Sequence, residues 1–226
     1  MSGGPVRRPR RRGRSASSTR WLQRQHRDPL VKQARAQGYR ARSVYKLMEI
    51  DRKYRILRKG MTVLDLGAAP GSWSQYAAAR GCRVVAVDLL PMRPIEGVTI
   101  VTGDFLEETV QARLRALLDR GCDLVLSDLA PDATGRRTVD RLRAEVAAEA
   151  VLAFAGQVLR PGGGLLLKLL HGADTLITGM ARPLFARSKL IRPEATRSES
   201  TEIYLLGQGF EGGENGGASG PARAAS

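Results

Sequence analysis

The 226-residue chain has no apolar run of the ~18 or more residues that a membrane span needs, so no transmembrane segment is expected. Its start lacks the apolar middle region of a secretory leader. Cysteine is scarce. Cys82 and Cys122 stand alone, without metal-ligand spacing, each beside a glycine at the entrance of a predicted strand. Both are expected to be buried, unreactive thiols. No internal repeat is visible, which excludes a solenoid. The first 20 residues contain no acid, and Pro5, Pro9 and Gly13 interrupt any amphipathic transit-type helix there. These absences point to a cytoplasmic protein with no membrane partner.

What is present is positive charge, placed unevenly. Residues 1–59 hold 19 Lys+Arg against Asp28, Glu49 and Asp51, a net +16. Residues 60–226 carry 18 basic and 19 acidic residues, a net −1. Such a one-sided block is the footprint of a polyanion binder more than of a solvated tail. Residues 1–20 form a basic tail expected to be disordered without a partner. Residues 21–59 form a basic arm with a helix at 43–57, and Trp21 or Tyr39 could stack on bases. Residues 60–210 form the main domain, and 211–226 a Gly/Ala-rich tail.

Within that domain the organising stretch is Met61–Trp73, MTVLDLGAAPGSW. Val63, Leu64 and Leu66 predict a buried strand, with Asp65 near its carboxyl end. The small residues from Gly67 to Gly71 follow, and Ser72 is expected to cap the next helix, with Gln75 three residues on. Strands are predicted at 83–87, 98–101, 123–126, 164–169, 189–192 and 202–206. Helices fall at 107–120, 139–159 and around 173–187. This alternation predicts an α/β fold, a mostly parallel seven-stranded sheet with helices on both faces. The last two strands lack a helix between them, so one should run antiparallel.

Asp65, Asp88, Asp104 and Asp128 lie at or just after strand ends, where open α/β sheets bind ligands. Asp88 is 17 residues beyond Gly71 and suits the two hydroxyls of a ribose. Asp104 can accept from an adenine amino group. These positions alone fit either a nicotinamide dinucleotide or S-adenosylmethionine. The loop GAAPG lacks the G-x-G-x-x-G pattern, which disfavours the dinucleotide. Lys168 interrupts the apolar strand GGGLLLKLL near its end; a buried Lys there reads as a functional amine rather than one snorkelling to the surface. His26 and His171 receive no role.

The motifs RSASSTRWL, ARSVYKL, VLDLGAAPGSWSQY, VDLLPM, GDF, SDLAP, LLLKLLHG and STEIYLLGQG occur in this order between about Arg14 and Phe210. On these residues the chain resembles the FtsJ/RlmE-type 2′-O-ribose methyltransferases of large-subunit ribosomal RNA. The resemblance implies a Rossmann-like methyltransferase sheet and S-adenosyl-L-methionine as cofactor. It implies a catalytic set on Lys46, Asp128, Lys168 and Glu202, and cofactor positions at Gly71, Trp73, Asp88, Asp104 and Asp128. It implies no metal. The implied target is an A-loop uridine in ribosomal RNA of the assembling large subunit, and the implied state a monomer. Ser72, Asp132 and His171 depart from the family pattern. Whether Lys168 would remove a proton or only position the hydroxyl stays open. Transfer RNA or a messenger cap as substrate, and a non-catalytic RNA-binding role, are the alternatives.

Overall fold

The structure, a computed structural model, describes residues 28–131, 134–170, 172–197 and 200–212. The expectations for residues 1–20, Trp21, His26, Asp132, His171 and most of the 211–226 tail lie outside the described residues.

Asp28 opens the described chain. Its carboxylate accepts from Leu30 N at 3.0 Å, and Pro29 takes the first helical position of α1 (Pro29–Ala36). Helix α2 (Val44–Tyr54) follows, then β1 (Thr62–Leu66), α3 (Ser72–Ala79), β2 (Arg83–Asp88), β3 (Val98–Thr102), α4 (Glu108–Leu118) and β4 (Cys122–Ser127). Helix α5 (Arg137–Val158), β5 (Leu159–Leu170), α6 (Asp174–Ala181), a 3₁₀ turn (Arg182–Leu184), β6 (Phe185–Ile191) and β7 (Glu202–Phe210) complete it.

The seven strands lie in the order β3-β2-β1-β4-β5-β7-β6. β7 runs antiparallel to both of its neighbours, and the pairs among β1 to β5 are all parallel. The inner strands are apolar on both sides because both faces are covered. One face holds Leu64, Val85, Val125, Leu165 and Leu167 against α4, α5 and α6. The other holds Val63, Leu124, Leu166, Tyr204 and Leu206 against α2 and α3. Leu47, Ile50 and Leu57 are fully buried in that second core. Burial of each stabilises by about 1.5–3 kcal/mol. The change at residue 59 is therefore one of charge and not of core. Among the described residues no helix is long and apolar enough to cross a membrane.

Four local expectations are corrected. Ser72 does not cap α3: Gly71, at φ +105°, holds the cap position, and the Ser72 hydroxyl lies 2.9 Å from that of Ser43. The helix expected over 173–187 stops at Ala181 and tightens into the 3₁₀ turn, because Pro183 has no N–H to continue the i→i−4 ladder. β6 accordingly starts at Phe185, whose ring packs on Phe210 at 5.6 Å, and not at Lys189. β5 starts at Leu159, five residues early. Its register against β4 slips between Cys122 and Leu124, which accommodates Pro161-Gly162 in a bulge. Cys82 and Cys122 are free and buried, and burial pushes both thiols up, Cys122 to about 12.

Candidate functional site

The carboxyl ends of β1, β2, β3 and β4 open into a cleft of about 840 Å³. The loop after β1 forms one wall. Gly67 is required there: its φ is +72°, and a Cβ would stand 2.6 Å from Leu129 Cα in the loop after β4. Asp88 closes β2 and ties the wall together. Its Oδ2 accepts from Ala69 N and its Oδ1 from Leu90 N, both at 2.8 Å. Asp104 accepts from Leu106 N at 2.9 Å. Asp88, Asp104 and Asp128 all line the cleft. So do Leu89, Leu90, Leu106, Leu142 and Val146, which are half to two-thirds exposed. Carboxylates beside bare apolar surface suit a ligand with a flat apolar ring and hydroxyl or amino donors. The residues present therefore fit an adenosine-bearing cofactor.

Gly71 and Trp73 are not among the lining residues of the cleft. A Cβ at Gly71 would lie 2.6 Å from the Ile95 side chain. Trp73 is buried, donates from Nε1 to Ser43 O at 2.8 Å, and packs its ring 5.8 Å from that of Tyr204. Both shape the loop and its junction with α2.

Beside the cleft, four distant segments of chain converge. Lys168 lies two residues after Leu166 on β5 and so shares its face, toward α2. Its Nζ donates to Asp128 O at 2.5 Å and stands 3.1 Å from Asp128 Oδ1. That same Oδ1 accepts from the Tyr204 hydroxyl at 2.9 Å. The hydroxyl in turn lies 3.5 Å from Lys46 Nζ, which pairs with Glu202. Lys46, Asp128, Lys168 and Glu202 thus form one connected chain of contacts with Tyr204 as its middle link. The two amines are nearly buried, their side chains 12% and 10% exposed.

Tyr204 was not a sequence candidate, since a Tyr on an apolar strand reads as core. Its one signal was its place two residues after Glu202, on the same strand face. Burial and the negative Asp128 and Glu202 raise its hydroxyl well above the usual value, so it stays a neutral donor. Arg40 was also missed. Its guanidinium donates to the carbonyls of Pro70 at 3.1 Å and of Arg93 and Pro94 at 2.8 Å, clasping the loops after β1 and β2.

Asp65 is fully buried below the cleft. Ser74 Oγ donates to its Oδ2 at 2.5 Å, while Oδ1 has no partner among the described residues. Burial pushes this carboxyl up, the Ser74 hydrogen bond pulls it down, and the charges of Asp128 and Asp88 push it further; it reaches about 7.

A family model described as FtsJ-like methyltransferase matches residues 39–210. The chain is 49% identical over 207 residues to the Ribosomal RNA large subunit methyltransferase E of Alkalilimnicola ehrlichii, covering 88% of this chain and 98% of that protein. It is 48% identical over 206 residues to the protein of the same name from Rhodopseudomonas palustris, covering 87% and 86%. A crystal structure of a Plasmodium falciparum protein designated a ribosomal RNA methyltransferase is similar at a TM-score of 0.70 and 29% identity. That match covers 77% of this chain and 100% of the other.

Proposed function

Since this chain belongs to the FtsJ-like methyltransferase family, we propose that it methylates a ribose 2′-oxygen in large-subunit ribosomal RNA. S-adenosyl-L-methionine is the proposed methyl donor. The target is a uridine in the A-loop of the peptidyl-transferase centre, modified on the assembling large subunit by a cytoplasmic monomer. The observation that carries this reading is the contact chain Lys168–Asp128–Tyr204–Lys46–Glu202 at the rim of a cleft fitted for adenosine.

When bound, the cofactor supplies an electrophilic methyl group on a positively charged sulfur. Asp88 would hold its ribose hydroxyls and Asp104 its adenine amino group, with Leu89, Leu90 and Leu106 against the ring. Lys168 acts on the target hydroxyl. Asp128 fixes the amine through a carboxylate oxygen and a backbone carbonyl, so its remaining valence is aimed. That amine is the group placed to receive the 2′-hydroxyl proton as the oxygen takes the methyl group. Lys46, braced by Glu202 and Tyr204, holds the sugar and its phosphate in register, and such alignment contributes much of the rate. The basic segment 1–59 supplies phosphate contacts.

The test uses labelled cofactor with large-subunit particles, free transfer RNA and capped RNA side by side, followed by mapping of the modified nucleotide. Ribose methylation confined to the large-subunit particles is expected. Lys168→Ala should lower the rate by roughly 10²–10⁴-fold with cofactor affinity unchanged. Full activity in that variant would remove Lys168 from the reaction. Methylation of transfer RNA or caps alone would reassign the substrate.

A further inference from the structure

Most basic residues close to the reacting centre are already committed. Lys46 and Lys168 pair with carboxylates, Arg40 clasps backbone carbonyls, and Arg42 and Arg197 share Asp28. The far end of α2 is different. The Lys53 ammonium lies over the Tyr54 ring at 5.6 Å, and Lys189 of β6 lies over the same ring at 4.6 Å. The two cations are thus no more than about 10 Å apart. Both residues are exposed, and neither ammonium pairs with a carboxylate among the described residues. Arg187, two residues from Lys189 on the same strand face, is exposed and likewise unpaired there.

Nearby acids do not neutralise this cluster. Asp51 turns inward, accepting from Leu57 N and the Tyr76 hydroxyl. Glu49, on the same stripe of α2, is taken by the backbone N–H groups of Glu194 and Ala195 at 3.0 and 3.3 Å. The ring face attracts each ammonium and holds both cations on one aromatic side chain, where an anionic ligand would gain from the two charges together.

The cluster is also continuous with the reacting centre. Lys46 and Lys53 are seven residues apart, hence on one face of α2 and about 10 Å apart along its axis. Ile191 pairs with Tyr204 of the contact chain, and Lys189 lies two residues further along β6.

We propose that Lys53 and Lys189, mounted over Tyr54, form a phosphate-binding point for the RNA strand leaving the reacting centre. The strand then follows the seam between α2 and the edge strand β6. This rests on the RNA reading above and adds to it a surface and a direction.

The experiment compares the full-length protein with the double variant Lys53→Gln/Lys189→Gln. A second double variant, Arg113→Gln/Arg120→Gln, removes the same charge from exposed positions at α4 and just after it. Affinity for a large-subunit RNA fragment is measured across a salt series. Methyl transfer, cofactor affinity and binding to anionic phospholipid vesicles are measured alongside. For Lys53→Gln/Lys189→Gln the slope of log affinity against log salt should be shallower by about 1.4, at about 0.7 per single-strand phosphate contact. KM for RNA should rise severalfold, with kcat and cofactor affinity unchanged, and the Arg113/Arg120 control should match the parent. A slope equal to the parent's, or an equal loss in the control, would overturn the proposal. So would loss of vesicle binding with RNA binding intact, which would make the patch a membrane contact. If the patch controls RNA binding but no ribose is methylated in any substrate, the proposed reaction fails and the binding surface stands.

Discussion

Asp65 offers the sharpest physical test of the site. It is fully buried, with one carboxylate oxygen on Ser74 and the other without a partner among the described residues, and its pKa rises from 3.8 to about 7. The folded protein therefore keeps this proton at pH values where the unfolded chain has lost it. Such a group favours the folded state most at low pH, and its contribution falls as pH rises from about 4 to about 7, then levels off. Each unit is about 1.36 kcal/mol, so the full span is about 4 kcal/mol, and the part between pH 5 and 7, where the folded group becomes half titrated, is about 2 kcal/mol. Asp65→Asn keeps the shape and does not titrate. Urea unfolding of both proteins at pH 5, 6, 7 and 8, followed by fluorescence of the buried Trp73, gives a difference from which other titrations cancel. Parent stability minus variant stability should fall by about 1.4 kcal/mol between pH 5 and 6, by about 1 kcal/mol between pH 6 and 7, and little further by pH 8. A difference that stays flat from pH 5 to 8 would mean that Asp65 has the same charge folded and unfolded, refuting the burial argument.

Three further outcomes are expected. Asp88→Asn replaces an oxygen that accepts from Ala69 N or Leu90 N, so calorimetry should show cofactor affinity lower by roughly ten- to a hundredfold, the value of one charged hydrogen bond. Tyr204→Phe keeps the packing on Trp73 but deletes the hydroxyl between Asp128 and Lys46; kcat should fall by roughly ten- to a hundredfold with cofactor affinity unchanged. Gly67→Ala drives a Cβ to 2.6 Å from Leu129 Cα at φ +72° and should cost about 1–3 kcal/mol in urea unfolding, with weaker cofactor binding.

The acids of the cleft were legible because they follow from periodicity. Parallel strands end on one edge, so Asp88, Asp104 and Asp128 had to share it once the alternation of strands and helices was read. Lys168 was legible as a charged break in an apolar strand. Tyr204 was not, because its role depends on the antiparallel register that sets it opposite Lys168, and that register joins residues 36 apart in sequence. Trp73 illustrates the opposite case: the motif that carries it is local, yet its ring turns to Tyr204 and not to the cleft.

The sequence by itself determined the order of strands and helices, the row of carboxylates at one sheet edge and the cationic front half. These depend on side-chain type and on spacing along a single element, which neighbours in the chain already define. Tertiary structure alone decided the partners: Asp128 with Lys168, Glu202 with Lys46, a phenol between the pairs, and a buried Asp65 with one oxygen unmet among the described residues. Pairing and desolvation depend on distance in space, and that distance is set only when β5, β7 and α2 close on the same core.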